Sequence, residues 1–138
     1  MTSDRFQRFI DEFRANAGQL GGDYEGVPVL LLHTRDSASG ELHVTPLTTQ
    51  PLGDTTEGWA VFASNAGRTT DPAWYLSLLE APEVTIEFGP ATLEVTARVA
   101  EGDEREAIWS RQKQLSPSFA TYEEKAGRPI PVVILTRR

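Results

Sequence analysis

The chain has 138 residues and a mass of 15.2 kDa, enough for one ordinary domain and too little for a second independent core. With 39% hydrophobic and 24% charged residues it has the composition of a packed globular protein, and the absence of cysteine excludes disulfides, thiolate metal sites and thiol nucleophiles. A net charge of −7, with Lys113 and Lys125 the only lysines, gives no basic patch for nucleic acid, and no apolar run approaches the ~20 residues needed to span a bilayer. His33 and His43 alone cannot close a structural zinc site, so no metal is expected. The N-terminus lacks the charged-then-apolar pattern of a secretory signal, which makes a cytoplasmic protein the expectation.

Thr2 or Ser3 can cap a first helix in which Phe6, Phe9, Ile10 and Phe13 recur at helical spacing, ending near Gly18. A glycine-rich passage over 18–26 leads into 27–34, whose continuous apolar character predicts a strand buried on both faces. Residues 35–40 have hairpin-turn chemistry, and 41–47 alternate as the second strand. Pro51, Gly53 and Asp54 mark a turn before a third strand over 59–64. Asp71-Pro72 has the chemistry of a helix opener, with aspartate as the cap, for a helix over 73–79 that Pro82 closes. Residues 84–88 and 93–99 form a hairpin around Gly89-Pro90. Asp103 and Glu106 resemble a capping pair for a helix carrying Ile108, Trp109 and Leu115. Pro117 begins another helical piece through Phe119 and Tyr122, and 131–135 is the last strand. About six strands joined largely by hairpins predict a mostly β, α+β fold. Its form is a mainly antiparallel barrel with peripheral helices, one domain over 1–138 with the N-terminal helix at 1–18 and the barrel at 27–135.

The segment 63–75 runs from a strand end through small residues into a helix, so its backbone can meet a planar ring and its amides an anion or carbonyl oxygen. A plain turn before a capped helix with Trp74 in the core is an equal reading. His33, in an apolar strand, reads as a satisfied half-buried residue; His43, beside the first turn, is better placed to touch an anion, with a solvated surface residue as the simpler reading. Tyr24, Tyr75 and Tyr122 offer phenolic donors, and Tyr122 falls where a lid could form. There is no P-loop, dinucleotide fingerprint or serine-hydrolase elbow, and Asp103, Glu104 and Glu106 read as a solvated helix start.

Three segments carry a resemblance: Gly21-Gly22-Asp23-Tyr24-Glu25-Gly26 leading into 27–32, Ser64-Asn65-Ala66-Gly67-Arg68-Thr69-Thr70-Asp71-Pro72-Ala73-Trp74-Tyr75, and Ile130-Pro131-Val132-Val133-Ile134-Leu135. In order and spacing they resemble the deazaflavin-dependent nitroreductase family, the actinobacterial group whose members bind reduced coenzyme F-420. The resemblance implies a split β-barrel of the flavin and deazaflavin oxidoreductase type. It also implies transfer of hydride to a small-molecule acceptor such as a quinone, enone or nitroaromatic. By resemblance, Ser37, Ala38, Ser39, His43 and Pro46 belong to the coenzyme site, the turn and His43 holding its phosphate. Ser64, Asn65, Ala66, Gly67 and Trp74 frame the ring, with Ser64 as a donor and Tyr122 as a proton source. The chain departs from the family pattern in having Ser37 and Ala38 where basic residues are common, His43 for arginine and Asn65 for lysine; of three tyrosine positions, filled here by Ser116, Phe119 and Tyr122, one keeps its phenol. Each charge-assisted contact replaced by a neutral one removes roughly 1 kcal/mol or more. That thinning of counter-charge motivates two alternatives: a barrel binding flavin mononucleotide (FMN) or another planar ligand, and a nonenzymatic binding protein. Open barrel edges would allow a homodimer.

Overall fold

A computed structural model describes residues 4–21, 26–36, 39–53, 58–64, 67 and 69–138, with side chains from Gln7 onward. Among the described residues the order is α1 (Asp4–Ala15), β1 (Val29–Arg35), β2 (Leu42–Leu52), β3 (Gly58–Phe62), α2 (Ala73–Glu80), β4 (Glu83–Phe88), β5 (Ala91–Val99), α3 (Gly102–Leu115), α4 (Ser118–Ala126) and β6 (Val132–Arg137). The strands close into a barrel in the order β1-β2-β3-β6-β5-β4, every neighbouring pair antiparallel, as the sequence pattern predicts.

The alternation of side chains across each strand divides the core into an interior and two outer layers. Leu30 and Leu32 of β1 point inward with Trp59, Val61, Ile86, Val95, Val133 and Leu135, and α2 adds Trp74 and Leu78 to this cluster. Val29 and Leu31 face outward under Ile10 and Phe13 of α1, which is why the apolar run of β1 is unbroken. On another side, Ala60, Phe62, Val132 and Ile134 face outward under Trp109 of α3 and Phe119 of α4. No helix of the described residues is long and apolar enough to cross a membrane.

The first helix is fastened by charge as well as burial. Arg14 grips Glu87 of β4 with two hydrogen bonds, 2.9 and 2.7 Å, and His33 Nε2 lies 2.7 Å from the same carboxylate, so His33 is the satisfied half-buried residue expected. Just beyond α1, Gly18 has φ +88°, and a Cβ there would lie 2.7 Å from the backbone of Gly89; this close approach requires glycine.

β2 differs most from its expected form. It runs through Pro46 and Pro51 to Leu52, past the turn expected at Pro51. Residues 42–48 pair with β1, whereas pairing with β3 begins only at Thr49. A proline at 46 therefore interrupts no ladder on the β3 side, and one at 51 interrupts none on the β1 side. β3 is correspondingly shorter than expected, ending at Phe62, and β6 extends to Arg137.

Two expected caps are replaced. Pro72 stands at the N-cap of α2 without a side-chain cap, because the Asp71 carboxylate is held by Arg128 at 2.8 Å, a charge-assisted bond that outcompetes free amides. At α3 the N-cap is Glu101, also without a side-chain bond; Asp103 lies inside the first turn, Glu104 pairs with Arg98 and Glu106 with Arg105. The cap expected at Thr2 or Ser3 lies outside the described residues.

The Arg14 guanidinium, and secondarily His33, hold the Glu87 carboxyl below the usual carboxylate range although burial pushes it up. Glu87→Gln is expected to lower stability near neutral pH by about 1 kcal/mol, since Arg14 is half exposed. A group whose folded pKa is depressed contributes fully above its ordinary value, near 4.5, and loses that contribution as pH falls through the lower folded value. Denaturant titrations of wild type and variant should therefore converge on acidification below that range.

Candidate active site

Where β2 has no partner in β3, a groove of about 400 Å³ opens on the outer face of the barrel. Pro46, Leu47 and Thr48 form the β2 side and Phe62 and Ser64 the opposite side. Val27 and Ser116, Ser118, Phe119 and Tyr122, at the start of α4 and just before it, complete the lining. α4 is set in place by Phe119, whose ring meets Phe62 at 5.4 Å and Trp109 at 6.1 Å. Tyr122, three residues on along the same helical face, packs at 5.4 Å from Phe119 and reaches the groove.

The loop after β3 is drawn onto this helix. Gly67 donates its amide to the Ser64 carbonyl at 2.9 Å and has φ +82°. A Cβ at Gly67 would lie 3.1 Å from the Lys125 side chain and 3.3 Å from Tyr122 Cα. The space that glycine leaves is thus used by α4 and brings Ser64 and Tyr122 onto one groove. Arg128 completes the fastening, donating to the carbonyls of Thr70 and Ala63 at 2.9 and 3.3 Å and to Asp71.

No charged side chain lines the groove among the described residues. The hydroxyls of Thr48, Ser64 and Tyr122 have no hydrogen-bond partner among those residues, whereas Ser116 and Ser118 share a bond of 3.2 Å. A neutral cleft of this volume lies within the ~300–1,000 Å³ of small-molecule sites. Apolar walls with uncommitted hydroxyls fit a planar heterocycle, which offers faces to Phe62, Phe119 and Pro46 and polar edges to the hydroxyls. Among the described residues no three His, Asp or Glu are placed to hold a metal.

Pro46, Ser64 and Tyr122 of the expected site are therefore brought together. His43 lies opposite Thr34, three residues along β2 from Pro46, or about 10 Å at strand rise, and has the opposite side-chain parity. Ser39 belongs to the turn before it: its amide donates to Asp36 at 2.9 Å and its hydroxyl accepts from the Glu41 amide at 3.2 Å. Arg35 leans over this turn, donating to the Gly40 carbonyl at 3.0 Å. Trp74 is 8% exposed in the interior cluster, edge-on to Tyr75, and does not line the groove. Burial, and then the charge of Asp71, push the Tyr75 phenol up, so it keeps its proton. Ser37, Ala38, Asn65 and Ala66 lie outside the described residues. Thr48, Phe62, Ser118 and Val27 were not singled out from the sequence; Thr48 follows from the parity of Pro46 once the register is known.

The sequence profile of the F420H(2)-dependent quinone reductase family matches residues 5–137. The chain belongs to that family. An F420H(2)-dependent quinone reductase of Mycobacterium tuberculosis is 32% identical over 130 residues, covering 91% of this chain and 85% of that protein. A solved F420-H2 dependent reductase, FDR-A, is 33% identical with a TM-score of 0.68, over 78% of this chain and 93% of its own. A second solved structure, described as a domain-swapped dimer, is 29% identical with a TM-score of 0.70, over 96% of this chain and 94% of its own. The chain is accordingly a reductase of this family, with coenzyme F-420 as cofactor.

Trp74→Leu separates the two readings of that residue. The variant is expected to lose about 2 kcal/mol of stability or more as an interior cavity opens. Its affinity for reduced coenzyme F-420, titrated below the melting transition, should stay within threefold of wild type; a loss beyond tenfold would return Trp74 to the ring wall.

Proposed function

We propose that the chain reduces a quinone in the groove between β2 and α4, with the coenzyme ring against Pro46, Phe62 and Phe119. The observation that carries this reading is the neutral cleft in which Thr48, Ser64 and Tyr122 hold unpartnered hydroxyls. The quinone reductase name of the mycobacterial relative supports the acceptor class. When bound, reduced coenzyme F-420 supplies a hydride. The quinone takes up that hydride and one proton and leaves as the hydroquinone, two electrons and two protons in all. Ser64 Oγ–H donates to the acceptor oxygen as negative charge develops there, and the Tyr122 hydroxyl delivers the proton. The apolar walls hold the reactants face to face and exclude water. Ser39 and His43 would hold the anionic tail of the coenzyme, with Arg35 as the nearby cation. Ser37, Ala38, Asn65 and Ala66 keep the tail and ring roles that the family resemblance gives them. Enones and nitroaromatics present the same oxygen acceptors and are secondary substrates.

The test is oxidation of reduced coenzyme F-420 followed by absorbance, with menadione as acceptor and FMN as a competing ligand. Ser64→Ala and Tyr122→Phe are each expected to lower kcat about tenfold or more while coenzyme affinity changes less than threefold. Saturable binding of FMN with none of coenzyme F-420 would overturn the assignment.

We further propose a homodimer, supported by the relative described as a domain-swapped dimer and by Leu76 and Leu79, both more than half exposed on α2. Light scattering should give about twice 15.2 kDa, and Leu76→Lys with Leu79→Lys should return the mass to one chain.

A further inference from the structure

Beside the groove lies a second chamber of about 370 Å³, which shares Val27, Thr48 and Ser116 with it. Gln50 of β2 and Gln112 of α3 line this chamber, and both are almost wholly buried, 3% and 2% exposed. Gln50 Nε2 donates to the Ile108 carbonyl at 3.1 Å and to Gln112 Oε1 at 3.2 Å. The first bond fixes which end of the Gln50 amide is nitrogen, and the second turns the Gln112 oxygen toward Gln50. Gln112 Nε2 consequently points away from Gln50 and has no partner among the described residues. The described side-chain nitrogens and oxygens that are sealed off without a partner are the indole nitrogens of Trp59 and Trp109. Gln112 Nε2 is therefore unpartnered but reachable, on a residue that lines the chamber. A buried amide left in this condition is an anomaly that a ligand oxygen resolves.

We propose that the side chamber is the acceptor subsite, in which Gln112 Nε2 donates to a carbonyl oxygen of the quinone; the inference rests on the quinone reductase reading above. A quinone carries acceptors and no donors, which matches the unpaired N–H of Gln112. Once hydride and proton have arrived, that oxygen is a hydroxyl, and Gln50 Oε1, also without a partner among the described residues, accepts from it. One amide thus recognises the substrate and the other the product. Arg111 lines the same chamber and presents positive charge to a carbonyl oxygen seated there, while the oxygen that becomes negative stays at Ser64 in the groove. Leu115, 62% exposed, stands at its edge beside Val27 and provides apolar contact for ring substituents.

Two variants test the subsite. Gln112→Met keeps the length of the side chain and removes the amide, while the Gln50 bond to the Ile108 carbonyl survives. Leu115→Trp, at an exposed position, fills the chamber without touching the buried pair. Calorimetric titration of the coenzyme-free protein with menadione should show saturable binding in wild type and at least tenfold weaker binding in both variants. The chain has no thiol to which a quinone could add. Turnover should show a KM for menadione raised at least tenfold, with the affinity for reduced coenzyme F-420 unchanged. If menadione does not bind wild type, or if both variants bind and turn it over as wild type does, the subsite is refuted, and turnover by wild type would still leave the reductase reading standing. If wild type fails to oxidise reduced coenzyme F-420 but both variants lose menadione binding, the chamber stands as a quinone site and the reductase reading falls.

Discussion

The structure depends on a change of partner within one strand. β2 is hydrogen-bonded to β1 over its first seven residues and to β3 over its last four. An unpaired strand edge is a liability that must be covered. Here α4 covers it only in part: Phe119 is committed to the cluster with Phe62 and Trp109, and Tyr122 reaches across the remaining gap. The groove is what is left when a barrel stays closed elsewhere but cannot pair at this point. Prolines at 46 and 51 are compatible with the arrangement and help to keep it, since neither can supply an amide to the strand beyond the one it already pairs.

What the sequence made legible was whatever was local. The apolar run of β1, the hairpin of β4 and β5, and the start of α4 after Pro117 all follow from patterns within a dozen residues. The length of β2 was not legible, because Pro51 with Gly53 and Asp54 argues for a strand end unless the register with both neighbours is known. The true partner of Asp71 was also out of reach. A cap is a local inference, whereas Arg128 lies 57 positions away and takes the carboxylate by a stronger interaction. Hairpin connectivity is insensitive to such local differences: a lost cap changes how a helix begins, not which strands pair.

The candidate site was legible in a different way. Of its residues Pro46 rests on the family resemblance alone, whereas the loop holding Ser64 and the Tyr122 phenol are visible in the sequence itself; no periodicity, however, joins residues from β2, a loop and α4. Trp74 was open to a physical argument that competes with the resemblance. It stands four residues before Leu78, so both fall on one helical face, and that face is the buried one. Gly67 shows the same competition, since a small residue leaves space without saying what fills it. Here Tyr122 and Lys125 do, and the loop gains a fixed position against the helix.

Charge and chemistry are kept apart in this molecule. Arg14, Arg98 and Arg128 are paired with carboxylates that fasten helices and loops to the barrel, and none lines the groove. The chain as a whole carries −7, which repels an anionic coenzyme at long range. Over a screening length of about 8 Å at physiological salt, that repulsion gives way to short contacts. Affinity must therefore come from the ring's fit between Pro46, Phe62 and Phe119 and from cations within a few ångströms of the tail, of which Arg35 is placed over the turn. A neutral groove has a second consequence. Negative charge that develops on an acceptor oxygen there meets no fixed carboxylate or guanidinium on the groove wall, so stabilisation falls to oriented hydroxyl and amide dipoles. Such dipoles are useful only when they are not already bonded within the protein, which is the condition of Ser64, Thr48, Tyr122 and the Gln112 amide.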